Sequence, residues 1–167
     1  MRASQAAAAK QIETLDLENF FNPSSVAVFG ASKAAFNLGA TICKILSDEA
    51  VGYRGRVYAV NRKGEDVFGA KGFRTLEEIP DAIDLAVIIT PAFVVPELVR
   101  QCGEKGIRSI IIESSGFSES GEEGKRLQRE VDEAARRYAI RLIGPNCLGI
   151  LDNRHRFCCM FGANDLA

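Results

Sequence analysis

The sequence predicts an α/β fold with a Rossmann-like, doubly wound sheet that is mainly parallel, five-stranded or slightly larger, with helices on both faces. Short apolar segments alternate with segments whose apolar residues recur at helical spacing, a pattern typical of βαβ units. Residues 84–90 (DLAVIIT) are almost continuously apolar, as in a strand buried on both faces of a parallel sheet. The alternation implies right-handed crossovers between parallel strands. For the doubly wound sheet we expect strand order 3-2-1-4-5, with ligands at the carboxyl ends of the strands near the switch point.

Two strands and one helix are predicted in the first half of the chain. Residues 26–29 (VAVF) form an apolar run that ends at a glycine, which predicts the first strand. Apolar residues then recur at helical spacing over 38–47, which predicts a helix. After two interrupting glycines, 56–60 (RVYAV) predicts the second strand, and a glycine-rich connection leads to a short helical turn at 75–81.

The second half continues the alternation with three strands and two helices. Residues 84–90 are the predicted third strand, and a helix over 93–105 follows them. The run at 109–112 predicts the fourth strand and 142–143 the fifth. Between those two strands, apolar residues at helical spacing predict a long helix over 119–139.

Length and patterning favour one domain with flanking segments. A chain of 167 residues can bury a sizeable core but is short for two ordinary domains. We expect a partly flexible leader at 1–21, the Rossmann-like domain at 22–151, and a tail at 152–167 that leads to a following domain. The tail has room for one more strand but has no core of its own.

Composition excludes several functional classes. The net charge of −1 argues against a protein that binds nucleic acid by neutralising phosphates. No apolar run approaches the roughly 18 residues of a membrane span, and no signal-peptide core is evident. The five cysteines lack C-x-x-C spacing, and Cys158 and Cys159 are adjacent, so we expect no metal site and a reducing cytoplasm.

A glycine-bracketed loop follows the first strand and predicts an anion site. Gly30 ends the strand and Gly39 lies at the start of the helix, nine positions later. Backbone N–H groups in such a loop and at a helix start can point at a phosphate, and Ser32 and Lys33 add a hydroxyl and a positive charge. The alternative is that the glycines serve only the geometry of the turn. The dinucleotide fingerprint G-x-G-x-x-G is absent.

The end of the second strand carries cations where dinucleotide enzymes carry an acid. A carboxylate there would bind a ribose 2′-hydroxyl, whereas this chain has Arg62 and Lys63. Two cations favour a ribose with an extra phosphate, as in NADP or coenzyme A. A solvated basic turn is the alternative.

Two further strand ends could close the site. Pro91 follows the third strand, where proline suits the first turn of a helix. Ser114 and Ser115 follow the fourth strand and bring hydroxyls and N–H groups to the same edge. Each signal is weak alone, and their convergence on one edge strengthens the prediction of a ligand site.

Several stretches together resemble one family. They are SSVAVFGAS, RVYAVNRKGEDVFG, DLAVIITPAFVVPELVRQCGEKGI, SSGFSESGEEG and RLIGPNCLGI, and they span about 22–151. They resemble the CoA-binding domain of NDP-forming acyl-CoA synthetases. That group includes ADP-forming acetyl-CoA synthetase, the succinyl-CoA synthetase α-subunit and protein acetyltransferases with a similar front end. The resemblance implies coenzyme A, or acyl-CoA, as the ligand and a role in an acid–CoA ligase.

The resemblance also implies a place for each candidate residue along the ligand. The loop after the first strand would line the nucleotide, Lys63 would meet the ribose 3′-phosphate, and the last positions would lie toward the thiol. The residues implied at the nucleotide are Ser32, Phe36, Asn37 and Leu38. Those implied beside the pantetheine are Pro91, Ser114 and Ser115, and those implied at the thiol end are Asn146 and Cys147.

Two positions depart from the family pattern. Arg62 stands where the family often has proline. Glu113 stands where an apolar residue is expected, and a carboxylate at that depth is costly unless it is exposed or paired. It could also repel the phosphates of CoA.

No catalytic residue is predicted in this chain. The family's reaction passes a phosphoryl group through a histidine, and the resemblance places that histidine in a following domain. His155 is the sole histidine and lies in the tail, where a surface role is expected, and Cys147 has no base beside it. The expected partners are linked or separate synthetase domains, and an oligomer is compatible with the sequence. An NADP-binding oxidoreductase fragment, an acetyltransferase front end and a free-standing CoA-binding module remain alternatives.

Overall fold

The computed structural model describes residues 17–161, and its centre is a six-stranded parallel sheet. The predicted leader therefore lies mostly outside the described residues, as do the last six positions of the predicted tail. The strands are β1 Ser25–Phe29, β2 Arg56–Val60, β3 Lys71–Phe73, β4 Leu85–Ile88, β5 Ser109–Ile112 and β6 Arg141–Ile143, with a hairpin of β7 Leu151–Asp152 and β8 Phe157–Cys158. The helices are α1 Glu18–Phe21, α2 Leu38–Ser47, α3 Val95–Glu104 and α4 Gly121–Arg137, with 3₁₀ turns at Ala92–Val94 and Ser118–Ser120.

The predicted fold class is confirmed, but the predicted strand order is wrong. The sheet runs β3-β2-β1-β4-β5-β6. The expected order would have placed the strand at 84–90 on the edge beside β2, whereas β4 pairs directly with β1, with Val26 opposite Leu85. The edge position belongs to β3, whose Lys71 pairs with Tyr58. The stretch KGF has three residues, contains a glycine and packs against one neighbour only, so it carries no apolar run that would predict a strand.

The central strands are buried on both faces, and their alternation divides the core in two. All residues of β1, β4 and β5 are buried. Val26, Val28 and Val87 contribute to the core beneath α2 and β8, while Phe29 and Ile88 contribute to the core beneath α3 and α4. This burial explains why the central strands read as continuous apolar runs.

Proline explains where one predicted element fails to form. The predicted helical turn at 75–81 is a series of bends and one turn. Its single local backbone bond runs from the Ile79 N–H to the Leu76 carbonyl, at 3.3 Å. Pro80 lacks an N–H and disfavours helical geometry in the residue before it, so the helix cannot continue.

The tail forms a hairpin that packs on the domain. β7 and β8 are antiparallel, with Leu151 opposite Cys158. Phe157 and Cys159 are fully buried in the core beneath α2. The tail thus adds two short strands, and its residues Phe157 and Cys159 belong to the core of the domain. The domain boundary at 151 stays a prediction.

Candidate functional site

The carboxyl edge of the sheet gathers the loops that follow β1, β2, β4, β5 and β6. β1 pairs with β2 on one side and with β4 on the other. The direction in which successive strands are added to the sheet therefore reverses at β1, and folds of this class bind ligands at such a point. Gly30 lies at this point with φ +87°, and a Cβ there would come 2.1 Å from the Ile89 carbonyl oxygen. The loop after β1 therefore requires glycine at its first position.

Asn37 organises the loop from inside. Its Nδ2 donates to the Gly30 carbonyl at 3.0 Å, and its Oδ1 accepts from the N–H groups of Ser32 at 3.1 Å and Ala40 at 2.8 Å. Asn37 is thus also the N-cap of α2. Because its polar side-chain atoms are already hydrogen-bonded, Asn37 contributes to a ligand site by fixing the shape of the loop. An asparagine just before a helical pattern is a capping signal that the sequence analysis did not use.

The outer residues of the loop face solvent and one side of a cavity. Lys33 and Leu38 are exposed, and Phe36 is fully exposed with φ 59°. Lys33, Phe36 and Asn37 line a cavity of about 840 Å³ that continues along α2 to the β7–β8 hairpin, where Lys44 and Arg156 also line it. Those two cations come from segments far apart in the chain, and no sequence pattern links them.

A turn held by Asn61 presents the two cations after β2. The Asn61 Oδ1 accepts from the Lys63 N–H at 3.1 Å and the Glu65 N–H at 3.2 Å. Arg62 and Lys63 are exposed, and within residues 17–161 neither forms an ion pair. Both charges are therefore available to an anion at this corner of the edge.

The loops after β4 and β5 are tied together by one buried hydroxyl. The Ser114 Oγ accepts from the Thr90 N–H at 3.0 Å and donates to the Ile88 carbonyl at 3.3 Å. Ser114 therefore clasps two strand ends, while Ser115 and Pro91 are exposed beside it. The Thr90 Oγ1 is buried there without a partner in the described chain.

The segment after β6 brings the last predicted residue to the same edge. Asn146 is exposed with φ 57°, and its N–H donates to the Ser114 carbonyl at 2.9 Å. Cys147 is half-buried, and its thiol donates to the Ile112 carbonyl at 3.4 Å. Burial raises the pKa of the Cys147 thiol, so it is a poor nucleophile. Cys147 is packed against the core beneath α2.

Glu113 is buried and unpaired within residues 17–161. It is 5% exposed, and neither carboxyl oxygen has a hydrogen-bond partner in the described part of the chain. Burial raises the pKa of Glu113 to about 8. Burial thus favours the neutral acid, and in that form the side chain does not repel phosphates.

His155 belongs to the hairpin turn. Its Nδ1 lies 3.0 Å from Asp152 Oδ2, and this hydrogen bond is the main reason that the pKa of Asp152 is lowered. The Asp152 carboxylate also accepts from the Arg154 N–H at 2.7 Å. The imidazole thus holds the turn together.

The predicted residues form an open edge and do not share one pocket. Lys33, Phe36 and Asn37 line the cavity beside α2, whereas Lys63 and the residues after β4, β5 and β6 lie outside it. Within residues 17–161, no group of three or more histidine, cysteine or acidic side chains could hold a metal ion. In the same residues no helix has the length and apolar character needed to cross a membrane.

Comparison with known proteins identifies the family. The family described as "CoA binding domain" matches residues 24–153. The chain belongs to this CoA-binding family. The choice between NADP and coenzyme A that the cations after β2 left open is therefore decided for coenzyme A. The edge fits such a ligand, because at one corner it offers cations that form no ion pair within residues 17–161. Further along it offers uncharged exposed residues and the Thr90 hydroxyl, which has no partner in the same residues.

The CoA-binding domain has relatives among archaeal ligases. It is 41% identical over 156 residues to the α subunit of ADP-forming acetate–CoA ligase I of Pyrococcus furiosus, covering 91% of this chain and 33% of that protein. Its identity to the ADP-forming acetate–CoA ligase of Methanocaldococcus jannaschii is 42%, over 82% of this chain and 19% of that protein. The chain thus spans a third or less of these relatives.

A solved structure shares the fold. The dinucleotide-forming acetyl-coenzyme A synthetase 1 of Candidatus Korarchaeum cryptofilum superposes with a TM-score of 0.81 at 35% identity. The match covers 88% of this chain and 31% of that one. The doubly wound architecture is therefore shared with about a third of that longer chain.

Proposed function

We propose that this domain holds coenzyme A, or acyl-CoA, as one part of an ADP-forming acid–CoA ligase. The observation that carries the proposal is the 41% identity over 91% of the chain to the α subunit of such a ligase. The similarity continues at the level of structure, with a TM-score of 0.81. Because those relatives are about three times as long or longer, linked or separate domains would supply the rest of the reaction.

In this proposal CoA lies extended along the carboxyl edge. Lys63, with Arg62 beside it, receives the phosphorylated ribose, because both cations are exposed and unpaired in residues 17–161. The loop from Gly30 shapes the seat of the nucleotide. The ligand then passes the exposed Pro91 and Ser115 and reaches Asn146.

The domain's residues bind and orient, while the electrophile comes from elsewhere. In the ligase reaction the thiol sulfur of CoA attacks an acyl phosphate, the C–S bond forms, and phosphate leaves. Burial raises the pKa of the Cys147 thiol, which disfavours the reactive thiolate. His155 lies in the hairpin turn, where its Nδ1 contact with Asp152 has a structural role. We therefore assign no catalytic residue to this domain.

We also infer a reducing compartment such as the cytoplasm. All five cysteines are free thiols, and four of them are buried. Adjacent Cys158 and Cys159 remain unbridged. Proteins with buried free thiols and no disulfide suit compartments in which glutathione keeps thiols reduced.

Calorimetric titration tests whether the domain binds its ligand. We expect CoA to bind at low salt and to bind more weakly as salt rises, because phosphate–cation contacts are screened. NADPH, which also carries a ribose phosphate, is the control and should bind much more weakly. Absence of CoA binding at low salt, or equal binding of the two nucleotides, would contradict the proposal.

The ligase reaction needs a second experiment on the whole gene product. ADP-forming activity should appear as phosphate- and ADP-dependent release of free CoA from acetyl-CoA, the reverse of ligation. A whole protein that binds CoA yet shows no nucleotide-dependent turnover of acyl-CoA would leave the binding domain in place and overturn the ligase assignment.

A further inference from the structure

Glu113 stands apart among the buried polar side chains of this protein. Of the side chains in residues 17–161, three buried polar atoms lack a hydrogen-bond partner, and two of them are the carboxyl oxygens of Glu113. Its neighbour Ser114 is equally deep but has two partners. Buried polar groups are ordinarily satisfied, so the site of Glu113 requires an explanation beyond packing.

The segment 144–149, hereafter the covering segment, lies directly on Glu113. A Cβ at Gly149 would stand 2.7 Å from the Glu113 Oε1 and 2.3 Å from the Cys159 carbonyl oxygen. At the other end, a Cβ at Gly144 would stand 2.2 Å from the Ile112 carbonyl oxygen. The two glycines allow the segment to close on the end of β5 with no space between backbone and carboxyl.

The covering segment also carries the residues nearest the proposed thiol end. The Asn146 N–H donates to the carbonyl of Ser114, just after β5, and the Cys147 thiol contacts the carbonyls of Ile112 at 3.4 Å and Ile143 at 3.9 Å. Closure of the segment over Glu113 thus determines where these two side chains lie. Displacement of Gly149 away from Glu113 would therefore also displace Asn146 and Cys147.

The surroundings of Glu113 favour its neutral form over its charged form. The titratable groups that face it are the thiols of Cys147, in the covering segment, and Cys159, after β8. Burial is the main reason that the pKa of both thiols is raised, and Glu113 adds to it. No cation or N–H donor of the described chain reaches its oxygens. An unpaired carboxylate in such a site costs free energy that solvent exposure would remove, and exposure requires the covering segment to lift.

We propose that Glu113 is a positioning residue for the thiol end of the site. The neutral acid allows the covering segment to close on β5 and hold Asn146 and Cys147 in place, and the ionised acid opens it. The role at the thiol end rests on the proposed function, whereas the coupling between Glu113 and the covering segment does not.

The sign of the effect follows from linkage. In the open state Glu113 meets water and titrates near its ordinary value of 4.5, whereas in the closed state its pKa is about 8. Opening therefore releases a proton between these values. The open fraction should rise by up to about tenfold per pH unit across that window and level off above it.

Hydrogen exchange measures the opening directly. We would follow the Asn146, Cys147 and Gly149 amides from pH 5.5 to 8.5 in the unmodified protein and in Glu113→Gln. Dividing the two rates at each pH cancels the intrinsic pH dependence of exchange. The ratio should climb by up to about tenfold per pH unit. Glu133→Gln, which removes an exposed acid of α4, should give a ratio near one throughout.

A ratio for Glu113→Gln that stays constant with pH would overturn the proposal. If that variant fails to fold, the unmodified protein decides the matter alone. Protection of these three amides, corrected for intrinsic exchange, must then fall with rising pH relative to that of core amides such as Val28 and Ile111. Protection that is independent of pH would overturn the coupling.

Binding of CoA separates this inference from the proposed function. The affinity of the unmodified protein should fall relative to that of Glu113→Gln as pH rises from 5.5 to 8, and the ratio cancels the titration of CoA itself. A constant ratio would overturn the role at the thiol end. Failure of both proteins to bind CoA would contradict the proposed function and that role, while the exchange data would still decide the coupling.

Discussion

Two loops on the same edge of the sheet solve the problem of buried polarity in different ways. In the loop 30–39 the Asn37 side chain satisfies the polar groups that the loop turns inward. Beneath the covering segment 144–149, the carboxyl group of Glu113 is buried without a hydrogen-bond partner in the described chain. The first loop is held by hydrogen bonds that do not titrate. The covering segment packs on Glu113, and the charge state of this acid determines whether the segment stays closed.

The difference teaches that the two ends of one binding edge need not respond alike to solution conditions. The nucleotide end combines a fixed loop with exposed cations, so its binding should vary with salt. The thiol end combines a covering segment with a buried acid, so its order should vary with pH. Four changes, from the largest expected effect to the smallest, test this contrast.

The largest loss of stability is expected for Gly149→Ala. Its φ is +93°, and the new Cβ would clash with the Cys159 carbonyl and with Glu113, so we expect a loss of roughly 3 to 5 kcal/mol in the free energy of unfolding. Gly106→Ala is the matched control, because Gly106 has φ +91° and, apart from its chain neighbours, no atom of the described residues lies within 4 Å of a Cβ there. The control should lose about 1 to 2 kcal/mol. Equal losses in urea denaturation would show that the covering segment is not closed on β5.

The pH dependence of stability should differ between the unmodified protein and Glu113→Gln. The pKa of Glu113 in the fold, about 8, lies above its ordinary 4.5, so its favourable contribution is complete below the lower value and is lost as pH rises to the higher. Relative to Glu113→Gln, the free energy of unfolding of the unmodified protein should fall by on the order of a few kcal/mol between pH 5 and 8.5. Parallel urea-denaturation curves at the two pH values would contradict the buried, unpaired acid.

The loop 30–39 should depend on Asn37 and not on pH. Asn37→Ala removes the cap of α2 and the bonds to Gly30 and Ser32, so the free energy of unfolding should fall by roughly 2 kcal/mol at both pH 5 and pH 8.5. Asn37→Asp keeps the acceptor and should lose less. A loss that changes with pH for the alanine variant would remove the distinction between the two loops.

The sequence predicted the fold class because the central strands are buried on both faces and read as apolar runs. The edge strand β3 was missed, since Lys71–Phe73 has one neighbour and little burial. Its absence from the prediction also produced the wrong strand order. The hairpin was only partly foreseen, because its core residues, such as Phe157, are recognisable only once α2 lies above them.

The candidate site was predictable where one segment carries the signal. The exposed cations after β2 and the glycine at the end of β1 could be located from their position alone. Glu113 was recognised as out of place, but its lack of a partner depends on Gly149 and Cys159, which meet it only in the folded chain. The structural role of Asn37 was signalled by its position before α2 and was overlooked in favour of ligand contact.

The most direct test of the account is the affinity of Lys63→Glu for CoA and for dephospho-CoA, measured by calorimetry at low salt. Lys63 is exposed at the corner of the edge, and we assign it to the ribose 3′-phosphate. Reversing its charge should weaken CoA binding by about tenfold or more and leave dephospho-CoA almost unchanged, while Arg129→Glu on exposed α4 should alter neither. Equal losses for the two ligands, or no loss for CoA, would contradict the placement of the phosphorylated end at β2.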